Sequence, residues 1–570
     1  MSDFLTTNNL KATGAALLMT VAITLALAWL LFFARLTSNP FVFPAAVAIA
    51  IASTALAMRG SIRVVTLILS TLGIIFLAVV VSAFFWDNSY DGNTYHQASI
   101  LWLADGWNPA YEFCPADNIW SRHYAKGLEI IAAQIFKSVS SVGFCSPIYA
   151  LESSKAVNFI LYAATLLIVI STVKEQVTSI SRRNLVGVAI VTAANPVVVT
   201  QLFTFYNDYA LYCLAAILLA AFFGIKRGDK MSAVIAACAT ILAVNTKFTH
   251  FFYIGVEWAL FLIFLALKKQ FKATAKWAVA ALAMAAVSAL AFGYNPYVTN
   301  TLSEGNPFYP LLGSDIDIMT NNTPEIYADG GRIGNFVKSQ FTAPNDEAWS
   351  AFPLPTSKNA LTGIGYDERS MGFGPLFPWI LLAALLMLLF GKTPRTVWLI
   401  VIATTGATFV FEQAWWARYV AFAWLIPVMA AISANAYARR GIVVRLKALI
   451  YALALIGAAG PVTISAVKAT ATRQYESRLF AAASKSSQLR ADLAGFESFG
   501  KKLKLLGINY EETAAANLDL NRSVFLFGKN DGNIYPTIEL DAEGFDWLSA
   551  QCSGSRIIEF ERRCPINAEQ

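Results

Sequence analysis

The run VVTLILSTLGIIFLAVVVSAFF, Val64 to Phe85, is followed at once by Trp86-Asp87-Asn88-Ser89-Tyr90-Asp91-Gly92-Asn93-Thr94-Tyr95-His96. The first stretch is uncharged over about twenty residues, the length of one helical bilayer crossing. The second sets two carboxylates and an imidazole where that helix meets water. A charged Asp near a membrane helix centre costs roughly 2.5–3.5 kcal/mol, so acids beside a span line a cavity or sit at the interface. Asp91 has two readings: it caps the following helix through the Asn93 or Thr94 N–H, or it carries chemistry. Tyr95, Ile100, Leu101 and Trp102 predict an amphipathic helix lying along the membrane surface.

Composition agrees with a membrane chain: 57% hydrophobic and 14% charged residues, with a mean hydropathy of +0.54. Apolar runs of spanning length recur. They fall near 14–35, 41–58, 64–86, 150–172, 184–203, 208–225, 231–246, 249–267, 275–293, 375–391, 396–412, 418–437 and 448–467. The expected fold is therefore an all-α polytopic membrane protein with about thirteen transmembrane helices. Surface helices lie in its first outer loop, and a small α/β domain ends the chain.

Alternate loops carry the basic residues, among them Arg59 and Arg63, Lys174 and Arg182, Lys226 and Arg227, Lys268 and Lys269, Lys392 and Arg395, Arg439 and Arg440. The positive-inside rule places that side in the cytoplasm. The formal charge of +7 then needs no nucleic-acid partner. Three parts follow: a transmembrane hairpin over 1–63, a membrane core over 64–467 with outer loops 87–149 and 294–374, and a periplasmic domain over 468–570. The first span lacks a strongly basic leader and a cleavage site, which predicts an uncleaved anchor. Cys114 and Cys145 share one outer segment and Cys552 and Cys564 the tail, predicting two disulfides.

Ionisable residues gather on the outer side. His123, Lys126 and Glu129 fall three apart near the start of a second amphipathic helix ending near Lys137, where a solvated face is the plainer reading for Lys126. Asp208, in Tyr206-Asn207-Asp208, either caps the next span or faces a site. Lys247, in Asn245-Thr246-Lys247-Phe248-Thr249-His250, opposes the charge bias unless it snorkels to head groups. Glu257 lies deeper, as a functional group or a structural hydrogen bond. The loop after Gly293-Tyr294-Asn295-Pro296, roughly eighty residues, is long enough to act as a lid or binding element. Trp415 and Trp416 suit an interfacial belt, whereas Arg418 next to them has the geometry to bind a phosphate bidentately. All three histidines (His96, His123 and His250) fall on this side. In the tail, strand-like runs at 523–527 and 557–560 follow a helical stretch over about 470–506.

Asp91-x-x-x-Tyr95-His96 after a span, Gly127-x-Glu129, Tyr206-Asn207-Asp208, Thr246-Lys247, Gly305-Asn306-Pro307-Phe308-Tyr309-Pro310, Gly372-Phe373-Gly374-Pro375 and Arg418-Tyr419 occur in this order. The set resembles the bacterial integral-membrane glycosyltransferases of the GT-C superfamily over roughly residues 64–437. The resemblance implies a sugar donor on a polyprenyl phosphate and inverting transfer to an envelope glycan, glycolipid or protein at the periplasmic face of the inner membrane. By carry-over Asp91 is the general base, with Asp87 its competitor. Lys247 and Arg418 hold the lipid phosphate. Asp208, His96 and Glu129 orient the acceptor or a divalent cation (Mg or Mn), and His250 adjoins the substrate. Metal dependence varies across the superfamily, and no ligand spacing here decides it.

Two rivals share parts of this pattern. A polysaccharide polymerase or ligase would use the same outer-face chemistry on other substrates. A lipid or sugar transporter (a flippase) would favour polar groups at the bilayer midplane and internal repeats, whereas here Glu257 alone is deep.

Overall fold

The computed structural model describes residues 6–143, 145–311, 323–342, 366–367, 371–437, 441–527 and 535–552. The chain opens with three apolar helices, α1 (Thr7–Phe33), α2 (Val42–Ala57) and α3 (Val64–Phe84). The next segment holds a π-helical turn (Gly92–His96), α4 (Gln97–Ala104), α5 (Ile119–His123) and α6 (Gly127–Val142). Then follow α7 (Pro147–Ser153), α8 (Ala156–Gln176), α9 (Arg182–Ala193), α10 (Pro196–Gln201), α11 (Tyr209–Ile225), α12 (Lys230–Thr246), α13 (Phe248–Leu267) and α14 (Phe271–Val287). Short helices α15 (Thr299–Glu304) and α16 (Arg332–Ser339) lead to α17 (Phe377–Phe390), α18 (Arg395–Val410), a 3-10 helix (Ala417–Trp424), α19 (Leu425–Tyr437) and α20 (Ile442–Ala483).

Among the described residues, seven helical runs are long and apolar enough to cross a membrane, including Thr7–Phe33, Val64–Phe84, Phe248–Leu267 and Ile442–Ala483. Five more expected spans are apolar helices of only 10–17 residues, such as Tyr209–Ile225 and Lys230–Thr246. The stretch 184–203, read as one span, is broken. Asn195 accepts the Val197 N–H at 3.1 Å and Pro196 occupies the first turn of α10, so the chain starts a new helix there. The helix α14 buries none of its side chains, and α3 exposes Val65, Leu69 and Phe76. Apolar helices that turn such residues outward are membrane-facing rather than water-facing.

The first hairpin is not peripheral, because α1 buries Leu17, Val21, Leu25, Trp29 and Phe32 in the main core. At one end of the bundle, Lys11 of α1 pairs with Glu175 of α8 at 3.3 Å and with Asp229 ahead of α12. Of the helices that follow α3, α5 buries only Ser121, but α4 and the first ten residues of α6 do not lie on the surface. Residues Gly127–Phe136 of α6 are buried, as is α4 apart from half-buried Trp102, so their apolar faces meet protein rather than lipid. Lys126, expected on a solvated face, is buried too, and its Nζ donates to the Tyr124 carbonyl at 2.7 Å. Cys114 and Cys145, expected to be bridged, are both free, the first buried and the second exposed. Of the other expected bridge, Cys564 lies outside the described residues.

No break separates membrane core from tail: α20 runs unbroken through residue 468 to Ala483, since its second half carries no Gly or Pro beyond Pro461. The tail then forms β1 (Arg490–Asp492), α21 (Glu497–Leu505), β2 (Glu511–Glu512), β3 (Ser523–Phe525), β4 (Thr537–Glu539) and α22 (Ala542–Cys552). The strands form one sheet in the order β2-β1-β4-β3. Strand β1 is parallel to β2 and antiparallel to β4, with Ala491 opposite Ile538. The expected strand at 557–560 lies outside the described residues. Trp86 and Ile148 join Phe496, Phe499 and Leu503 in the tail's apolar core, which seats the domain on the two ends of the segment between α3 and α8.

Candidate functional site

Four separated stretches meet at one end of the bundle. Asp91 occupies the N-cap position of the π-helical turn, yet its side chain makes no capping bond. Its Oδ2 instead lies 3.0 Å from Nη1 of Arg418. Asp208 occupies the N-cap position of α11, also without a side-chain cap. It pairs with Lys247 between α12 and α13, and its Oδ2 is 3.7 Å from Arg418 Nη1. The capping alternatives for both acids are therefore not what the structure adopts. Lys247 does not snorkel: it is 8% exposed and stacks over the Tyr419 ring at 4.6 Å.

Arg418 is held from several sides. Its Nε lies 3.2 Å from Oδ1 of Asp367, and its guanidinium packs over Trp416 at 4.4 Å and Tyr206 at 5.0 Å. Trp416 is thus not part of an interfacial belt; it is buried, and its Nε1 donates to the Asp367 carbonyl at 2.6 Å. Three carboxylates (Asp91, Asp208 and Asp367) face two cations (Arg418 and Lys247), so the cluster carries one excess negative charge. The side chains of Asp91 and Asp367 remain 18% and 28% exposed and that of Asp208 only 2%, so an incoming molecule reaches Asp91 and Asp367 but not Asp208.

His96 and Glu129 form a second cluster. His96 Nδ1 lies 2.6 Å from Glu129 Oε1, which also accepts from Asn207 Nδ2 at 3.0 Å. All three line a cavity of about 10 Å³, room for about one water. Tyr206 stands between the clusters, its ring 6.4 Å from that of His96. Burial lifts the Tyr206 phenol well above its usual value, with Asp367 and Asp91 adding to the rise, so the group stays protonated. His250, in the first turn of α13, is fully buried, and neither ring nitrogen has a hydrogen-bond partner among the described residues.

Comparisons with protein-family profiles, with curated proteins and with solved structures found no match.

Asp87 is placed differently from Asp91. It is fully buried, and its carboxylate accepts from the N–H groups of Ser89 at 2.8 Å and Phe205 at 3.2 Å. Burial pushes its carboxyl up, against the opposing pull of Lys155. These bonds tie the Asp91 segment to the Phe205 turn, which is a positioning task. Gly92 is required beside it, because a Cβ there would come within 1.8 Å of Asp87 Oδ2.

Two contributors escaped the sequence reading. Asp367 sits in the long loop whose length pointed to a binding role, but no spacing singled it out. Its neighbour Tyr366 donates to the Asn88 carbonyl at 2.8 Å and accepts at its own carbonyl from Gln201 at 2.9 Å. Among the described residues no group of three His, Cys, Asp or Glu side chains is arranged to hold a metal ion. The three aspartates instead surround Arg418.

Proposed function

We propose that this chain is a membrane glycosyltransferase that moves a sugar from a polyprenyl-phosphate donor to an envelope glycan, glycolipid or protein. In this reading the site faces the periplasm and the basic loops face the cytoplasm. The single observation that carries it is the convergence of Asp91, Asp208, Lys247 and Arg418, from four distant stretches, at one end of an apolar helix bundle. A lipid phosphate is already an activated leaving group, so the reaction asks for one base, one cationic clamp and little water. Asp91 supplies the exposed carboxylate that takes the acceptor hydroxyl's proton. Arg418 and Lys247 supply charge for the departing phosphate. Since both cations are matched by aspartates, the incoming phosphate must displace a carboxylate from Arg418. Asp367, the most exposed of the three at 28%, is the one placed to yield.

The test is transfer of radiolabelled sugar from polyprenyl-phosphate donors in membranes carrying Asp91→Asn or Arg418→Lys, with folding checked by thermal melting. A general base contributes about 100-fold or more to rate, so folded Asp91→Asn should lose transfer to that extent. Full transfer by both folded variants ends the reading. Mass spectrometry of envelope glycans from a deletion strain then identifies the product.

A further inference from the structure

The bundle also contains a cavity of about 330 Å³ far from the aspartates, between α8, α11, α13, α18 and α19. Its walls are apolar and aromatic, with Val173, Phe222, Phe261, Phe264 and Met429 among them. Phe222 and Phe261 stack face to face at 4.4 Å. One acid breaks this lining. Glu257 is 1% exposed, and neither carboxylate oxygen has a hydrogen-bond partner among the described residues. It lies on α13 about 15 Å along the helix from Lys247, counting 1.5 Å per residue, so this place is separate from the Asp91 site.

A carboxylate buried in apolar surroundings is costly until a cation or donor reaches it. The cations at the mouth do not: Arg227 pairs with Glu175, and Lys226 lies over the Phe264 ring at 4.8 Å. An acid at the inner wall, aromatic rings beside it and an apolar volume in front of it are the chemistry that recognises an organic ammonium.

We propose that this cavity is a binding site for a lipophilic amine. The ammonium pairs with Glu257 and packs on the Phe222 and Phe261 rings, and the hydrocarbon body fills the space toward Lys226. The ligand is held without covalent change. The site does not depend on the glycosyltransferase reading.

The test is equilibrium dialysis of full-length protein in nanodiscs against radiolabelled 4-phenylbutylammonium, with 4-phenylbutanol and 4-phenylbutyrate as neutral and anionic counterparts and empty nanodiscs as background. The amine should saturate at one site per chain and bind more tightly than either counterpart, a ranking read on the unaltered protein. Glu257→Gln, with its melting temperature checked, should weaken the amine about tenfold or more, as expected for a charge-assisted hydrogen bond, and leave the alcohol unchanged. Tightest binding by the carboxylate would mean that the rim cations select an anionic amphiphile, and the proposal falls. It falls equally if amine and alcohol bind alike, if nothing saturates, or if folded Glu257→Gln binds the amine as before.

Discussion

Arg418 Nη1 lies 3.0 Å from Asp91 Oδ2 across 327 residues of chain. The same guanidinium reaches Asp208, which in turn holds Lys247. Arg418, Asp208 and Lys247 are nearly dry, so the partner of each rather than water offsets the cost of burial. The cluster therefore contributes to the fold as well as to any chemistry.

Removing one member of the Asp208–Lys247 pair leaves the other buried and uncompensated. Asp208→Asn and Lys247→Met should each destabilise by about 3–5 kcal/mol. The double variant should cost clearly less than their sum, since nearly neutral groups then face each other. Chemical denaturation of the four proteins in detergent measures the coupling, and additive effects would dissolve the pair.

Burial lowers the Lys126 ammonium to about 8. Between that value and the unfolded one near 10.5, the unfolded chain binds more protons than the native one. Stability from this group therefore rises with pH across that window, and it is flat below it. Melting temperature against pH should show a shallower rise in Lys126→Met than in the unaltered chain. Identical profiles would mean that Lys126 is not dry.

Gly127 opens α6 against the end of α12, and a Cβ there would meet the Asn245 carbonyl oxygen at 2.5 Å. Backbone cannot step aside as a side chain can, so Gly127→Ala should cost about 1–3 kcal/mol despite the gain in helix propensity. Gly334 in α16 has nothing within 4 Å of its added Cβ. Gly334→Ala should then be neutral or stabilise by up to about 1 kcal/mol. Thermal melts of both variants separate contact from propensity.

The tail grips the Asp91 segment. Ser498 Oγ donates to the Asn93 carbonyl, Lys502 Nζ to Asn93 Oδ1 at 3.1 Å, and Lys502 pairs with Glu476 at 3.5 Å. Lys502→Met should raise hydrogen exchange over Gly92–His96 and leave α11 and α12 protected. Unchanged exchange at the turn would mean that the tail rests on it without holding it.

Cys145 is exposed and Cys114 is buried, and neither is bridged. A membrane-impermeant maleimide should label Cys145 in native protein and Cys114 only after denaturation. Labelling Cys145 in spheroplasts or in inverted vesicles decides which side of the membrane the segment between α3 and α8 faces. Loss of labelling without reductant would restore the expected disulfide.

The apolar runs settled the helical class and the membrane character, because a stretch such as Val64–Phe85 has no other way to satisfy its backbone in lipid. The recurrence of acids and cations beside those runs also marked Asp91, Asp208, Lys247 and Arg418 as candidates. Sequence could not separate capping from pairing for Asp91 and Asp208, since both uses need an acid at a helix start. Only the arrival of Arg418 and Lys247 from distant helices decides it. In the same way, the burial of Lys126, the break at Asn195-Pro196, the recruitment of Asp367 and the seating of the tail on Trp86 depend on what lies across the fold. Hydrophobic periodicity is written along the chain, whereas the partner of a buried charge is fixed by packing between segments that the chain itself keeps far apart.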